Sequence, residues 1–178
     1  MISYIVFLRG INVSGQKKIK MADLRESLAK KGFDYVKTYI QSGNIIVASK
    51  ERPEEVVKLV EKSIVEDFGF EVPAIALTEK LVKDILDAVP FQSAEDKNLY
   101  FSLLFKKPDS SLVDTFNGLH FENEDFFIAN SCVFLNCKKG AGKAKLNNNL
   151  IENKLKVVAT TRNLNTMRKM LEMVNQEV

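Results

Sequence analysis

The sequence predicts an α+β fold built from two similar halves, each a sandwich of one antiparallel sheet and its helices. Three observations predict it. The order strand, helix, strand, strand, helix, strand, helix reads twice along the 178 residues. In each half the two middle strands meet at turn residues, Ser42-Gly43 and Asn130-Ser131, giving hairpins rather than the crossovers of a doubly wound parallel sheet. The composition, 46% apolar and 28% charged, suits a chain that buries a full core and is not disordered.

Residues 3–9 are apolar on both alternations (Tyr4, Val6, Leu8 and Ile5, Phe7), so the first strand is central and covered at least in part on both faces. Ala22, Leu24, Leu28 and Ala29 form a short helical stripe that Gly32 stops. Residues 33–41 and 44–49 then read as paired strands. Pro53, Glu54 and Glu55 suit the first turn of a helix whose apolar face is Val56, Val60, Ile64 and Phe68. A strand over 70–77 ends at Thr78, an N-cap for a helix through Leu81, Ile85 and Leu86 that Pro90 stops.

After the polar stretch 92–98 the order restarts. Residues 98–106 read as a strand, 109–118 as a helix, and 121–129 with 132–138 as a hairpin. Leu146, Leu150, Ile151 and Leu155 mark a helix, 156–160 a short strand, and Thr161 the cap of a last helix with Leu164, Met167, Leu171 and Val174 on its apolar face. Setting Thr78 against Thr161 also aligns Leu81 with Leu164, an independent sign of repetition. Each half matches the ferredoxin-like βαββαβ arrangement extended by a helix, which divides the chain into residues 1–91 and 92–178.

Charge is distributed unevenly. Residues 1–50 hold 9 Lys+Arg against 3 Asp+Glu, residues 51–136 hold 8 against 17, and residues 137–178 hold 9 against 3. Two basic ends flanking an acidic middle form one positive surface if the fold joins them, and differently charged solvated helix faces if it does not. No apolar run is long enough for a membrane span, and the N-terminus lacks the basic and apolar segments of a signal peptide, so a cytoplasmic protein without membrane attachment is expected. One histidine and two cysteines exclude most histidine-based triads and multi-ligand metal sites, and neither a metal nor a cofactor is expected.

Two loops exceed what their connections require: residues 10–20, whose counterpart needs little more than Lys107 and Pro108, and residues 139–145. The first follows Arg9 and offers a guanidinium, the Asn12 carboxamide and Gly10 and Gly15, at which backbone amides can approach an oxyanion; the alternative is a structural loop with Arg9 in an ion pair. Its glycines lack the G-x-G-x-x-G spacing of a dinucleotide site. The second fails as a phosphate-binding P-loop, because Cys137 stands where glycine is needed and Ala144 where serine or threonine is needed. It reads as a mobile basic loop. In the string Thr160 to Thr166, Arg162, Asn165 and Thr166 fall on the polar face of the last helix's first turns, a candidate anion site if they are not merely capping or solvated.

Other residues read as structural. Cys132 and Cys137, five positions apart, point to opposite faces of a strand and read as buried thiols. His120 reads as structural, Phe126-Phe127 as core, and Glu124-Asp125 as solvated acids.

The strings Arg9-Gly10-Ile11-Asn12-Val13, Thr38-Tyr39-Ile40-Gln41-Ser42-Gly43-Asn44 and Thr161-Arg162-Asn163-Leu164-Asn165-Thr166 resemble those of a bacterial family, domain of unknown function 1697. Leu164 stands where that family usually has tryptophan. The resemblance implies a small cytosolic bacterial protein of two ferredoxin-like halves, without an established activity, cofactor or catalytic residue.

Taking strands one and three as parallel places the Arg9 loop and the Ser42-Gly43 turn at opposite ends of the first sheet, roughly 20 Å apart. Gln41 to Asn44 could then meet Thr160 to Asn165, and Arg9 to Gly15 could approach Lys143 and Lys145, if the halves pack accordingly. Two functions from different classes follow. One is a binding module for an anionic partner, nucleic acid or a phosphorylated small molecule, using Arg9, Lys145 and Arg162. The other is a small-molecule enzyme in which Ser42, Asn44, Arg162 and Asn165 line a cleft between the halves.

Overall fold

A strand with apolar residues on both alternations must be buried on both faces, and the first strand is. In the computed structural model, which describes residues 1–129 and 131–176, β1 (Ile2–Leu8) has Tyr4 to Leu8 almost fully buried. It is followed by α1 (Met21–Lys30), the hairpin β2 (Tyr35–Tyr39) and β3 (Asn44–Ser49), α2 (Pro53–Phe68), β4 (Ala74–Thr78) and α3 (Glu79–Asp87). The second half repeats the order with β5 (Leu99–Leu104), α4 (Ser110–Asn117), β6 (Glu124–Ala129), β7 (Cys132–Cys137), α5 (Asn148–Leu155), β8 (Ala159–Asn163) and α6 (Leu164–Asn175). The expected second turn includes Asn130, which lies outside the described residues.

The sheets have strand orders β2-β3-β1-β4 and β6-β7-β5-β8, with every neighbouring pair antiparallel. This is the α+β, duplicated ferredoxin-like arrangement read from the sequence. The described residues form two compact units, Met1–Lys83 with the chain from Lys169 onward, and Asp84–Arg168.

In the first unit one sheet face (Tyr4, Val6, Leu8, Ile45, Val47) packs with Leu24 and Leu28 of α1 and Val56, Val60 and Ile64 of α2. Pro53 opens α2 with Glu54 and Glu55 in its first turn, and Gly69 closes it with φ 79°, as a left-handed cap should. Ser27 of α1 donates to the Asp67 carboxylate at 2.6 Å, so its contact with Ser63 of α2 is one in which Ser63 donates. In the second unit Leu104, Val133, Leu135, Phe116, Ile151 and Leu155 build the corresponding core, with Phe126 edge-on to Phe116.

The repeat is real but its register differs from the sequence alignment. Tyr4 pairs with Thr78 as Tyr100 pairs with Asn163, so Thr78 corresponds to Asn163, not to Thr161. Both cap: the Thr78 hydroxyl accepts from the Leu81 amide and the Asn163 side-chain Oδ1 from the Thr166 amide. The same register matches Val82 with Met167 and Ile85 with Met170, all buried, and leaves Leu81 half exposed rather than in the core.

The hairpin of the first half is wider than the expected tight turn, since β2 ends at Tyr39 and residues 40–43 form the loop. Gly43 has φ +76°, and a Cβ there would lie 2.6 Å from Cβ of Leu8. Ile40, 51% exposed, has φ +47°, a conformation costly to a β-branched residue and gaining little from burial. Two substitutions should therefore act with opposite sign in urea melts. Gly43→Ala should lose about 3 kcal/mol, because clash and backbone strain add. Ile40→Asn should gain about 1 kcal/mol, and a loss of stability there would refute the strain.

Candidate functional site

Because β1 and β3 are antiparallel, the carboxyl end of β1 and the β2–β3 loop lie at the same end of the sheet, which corrects the expectation of opposite ends. The Leu8 amide donates to the Gly43 carbonyl at 2.8 Å and the Arg9 amide to that of Pro73 at 2.9 Å, fastening the chain on both sides as it leaves the strand.

The loop that follows is organised by Asn12. Its Nδ2 donates to the carbonyls of Ile19 (2.9 Å) and Gln41 (2.8 Å), and its Oδ1 accepts from the Ile19 amide (2.9 Å). One carboxamide thus closes the loop on itself and ties it to the hairpin. Asn12 has φ 53°, which asparagine tolerates better than most residues. Ile11 and Ile19 are buried beneath, and Lys17 donates to the Glu71 carbonyl at 2.6 Å. In the hairpin the fully buried Asn44 donates through Nδ2 to the Tyr39 carbonyl and the Ser42 hydroxyl, each at 3.0 Å.

The outer side of this assembly is a groove of about 600 Å³ whose walls include Lys18, Lys20, Gln41, Ile19 and Phe68, with Asp23 at one side. Lys20, which lines the groove, is the N-cap of α1; no side chain caps that end, and Asp23 lies in the helix's first turn. This lining offers cationic groups, a carboxamide and an apolar floor, and no nucleophile paired with a base.

Four of the seven expected site residues, Arg9, Asn12, Ser42 and Asn44, meet here. The two carboxamides hold the loops, so the outward chemistry belongs to Lys18, Lys20 and Gln41. Their signal was present in sequence: from Arg9 to Ala22 every charged residue is basic.

The other three belong to the second unit. Lys145 is exposed and its amide donates to Glu124 Oε1 at 3.1 Å. Glu124 is buried, not solvated as expected. Asn165 is exposed near the start of α6, whereas Thr166 is buried.

Arg162 requires the largest correction. It lies in strand β8 opposite Phe101, not on a polar helix face, and is only 8% exposed. Leu77 holds the same position opposite Ile5 in the first half. The guanidinium donates to the Thr160 hydroxyl (2.8 Å) and the Thr161 carbonyl (2.9 Å), and burial pulls its pKa down to about 10.

Cys132 and Cys137 are buried thiols on opposite faces of β7, as expected; burial pushes the Cys137 pKa up to about 11 and that of Cys132 further. His120 is exposed. Among the described residues no cluster of His, Cys, Asp or Glu is placed to hold a metal, and no helix is long and apolar enough to cross a membrane.

The model of the family described as protein of unknown function (DUF1697) matches residues 1–134. The chain belongs to this family. The match takes in Arg9, Asn12, Ser42, Asn44 and the whole groove, and leaves Lys145, Arg162 and Asn165 beyond it. The fold is similar to that of the conserved bacterial protein SP0830 from Streptococcus pneumoniae, with a TM-score of 0.75 and 23% identity over 97% of this chain and 98% of that one. No curated protein matches the chain.

A guanidinium buried within a strand makes a sharp test. Arg162→Ala should cost about 2 to 4 kcal/mol in urea unfolding, from a vacated volume and the loss of buried hydrogen bonds to a charged group. A change under about 0.5 kcal/mol would show that the guanidinium does not hold its strand.

Proposed function

We propose that this family member is a binding module for an anionic small molecule, and that its site is the groove at the loop end of the first unit. The observation that carries this reading is the position of Lys18 and Lys20 at the N-terminus of α1, which has no side-chain cap, on a loop that Asn12 holds in place. Two ammonium groups and the positive end of a helix favour a phosphate or carboxylate. Ile19 and Phe68 supply apolar surface for the remainder of the ligand, and Gln41 a donor and an acceptor. Asp23, on the same groove, disfavours a ligand that is anionic throughout and suits one carrying hydroxyls next to its charge.

The size of the groove favours a phosphorylated metabolite over nucleic acid, since about 600 Å³ is that of a small-ligand pocket rather than of a strand-tracking channel. The enzyme alternative draws no support from the lining, which holds the means to bind and orient an anion but no activated nucleophile.

Thermal stability measured against sugar phosphates, mononucleotides and inorganic phosphate tests the proposal. At about 100 times its Kd a true ligand should add about 2.7 kcal/mol. The shift should shrink with added salt and vanish in the Lys18→Ala, Lys20→Ala double variant, whose two sites are exposed and whose own Tm should stay near that of the wild type. Stabilisation by none of these compounds, or equal stabilisation of the variant, would refute it.

A further inference from the structure

The two sheets present equivalent edge strands, β2 in the first and β6 in the second. An edge strand offers unpaired N–H and C=O groups to any other chain, and proteins block such edges with charged side chains, above all lysine, or with proline or a bulge. β2 is blocked in this way: the exposed Lys37 sits at its centre, with Nζ 5.0 Å from the centre of the Tyr35 ring. β6 lacks such a block at its centre: its sequence, Glu124-Asp125-Phe126-Phe127-Ile128-Ala129, carries charge only in its first two residues and contains no lysine, arginine or proline. All six residues pair with β7 on one side, and no further backbone hydrogen bond joins residues 125–129 on the other among the described residues.

Phe127, expected in the core, is 48% exposed at the middle of this edge, tilted against Phe134 at 6.3 Å between ring centres. Its neighbours carry no free charge to repel an incoming strand. Asp125 is held by Lys138 (2.9 Å) and by the Asn136 amide (3.0 Å), and Glu124 by the Lys145 amide.

We propose that β6 is an interface and that its partner is a second copy of this chain, the two β6 strands pairing antiparallel about a two-fold axis at Phe127. The strand is self-complementary in that register. Phe127 meets the same residue of the second copy, an aromatic cross-strand pair, and each Asp125 faces an Ala129, so like charges never stand opposite. The result is one continuous eight-stranded sheet across the dimer. A strand pair of this length buries less than the ~1,200 Å² of a standard interface, which places the contact among weak, transient associations.

Sedimentation velocity of the full chain from about 1 to 200 µM tests this, with hydrogen exchange read at both ends of the range. A monomer–dimer equilibrium is expected, with the outward amides of Phe126 and Ile128 exchanging more slowly at high concentration and those of β2 unchanged. Phe127→Lys, which copies the block that Lys37 provides, should weaken the dimer at least about tenfold while leaving Tm within about 2 °C. If that variant is unstable, exchange in the unaltered chain decides the matter alone. A monomer at about 200 µM, or a dimer without added protection in β6, would overturn the proposal.

Discussion

The antiparallel pairing of β1 with β3 is the constraint on which the first unit's candidate site depends. Once the strands run in opposite directions, the segment leaving β1 and the loop entering β3 must emerge together. The hydrogen bond from Leu8 to Gly43 then closes them to backbone contact distance. Only a residue without a side chain fits there, since a Cβ at Gly43 would also meet Cδ1 of Ile11 at 3.0 Å. Asn12 and Asn44 complete the closure by satisfying backbone carbonyls that a buried loop would otherwise leave unpaired. The lysines of the groove are positioned by these neutral groups, a division of labour in which the amides give shape and the ammonium groups give charge.

The second half shows what the same scaffold does without that elaboration. Leu104 donates to Ser131 and Phe105 to Val158 at the distances that Leu8 and Arg9 keep to Gly43 and Pro73. Yet the connection after β5 is short, with Pro108 buried, and Cys132 takes the strand position of Asn44. The two halves therefore share these backbone bonds and differ in the side chains around them. Arg162 in the place of Leu77 is another such difference, a charge inside a sheet whose hydrogen bonds include two to its own strand.

The strands and helices were legible because each repeats a burial pattern within a few residues. The both-face burial of β1 and the proline start of α2 are examples. The excess loop was legible from its length. What a single strand's pattern does not encode is the direction of its neighbour, and the site was misplaced for that reason. Arg162 reads as exposed because nothing local announces a buried guanidinium; its burial comes from pairing with Phe101 in another part of the chain. Thr161 and Asn163 are both able to cap, and the register of β8 against β5 selected the second. Phe127 alternates like a core residue, but a sheet edge leaves it without cover.

The two buried thiols have a practical consequence. Both lie on β7, in the second unit, and the rest of the chain has no cysteine. A thiol held above its ordinary pKa reacts with alkylating reagents only when its surroundings open and the thiolate forms. Alkylation of the native protein thus acts as a clock for the opening of one sheet, and is silent about the other. Cys132 and Cys137 report from opposite faces of their strand, so mapping which is modified first tells which face of that sheet lets in water.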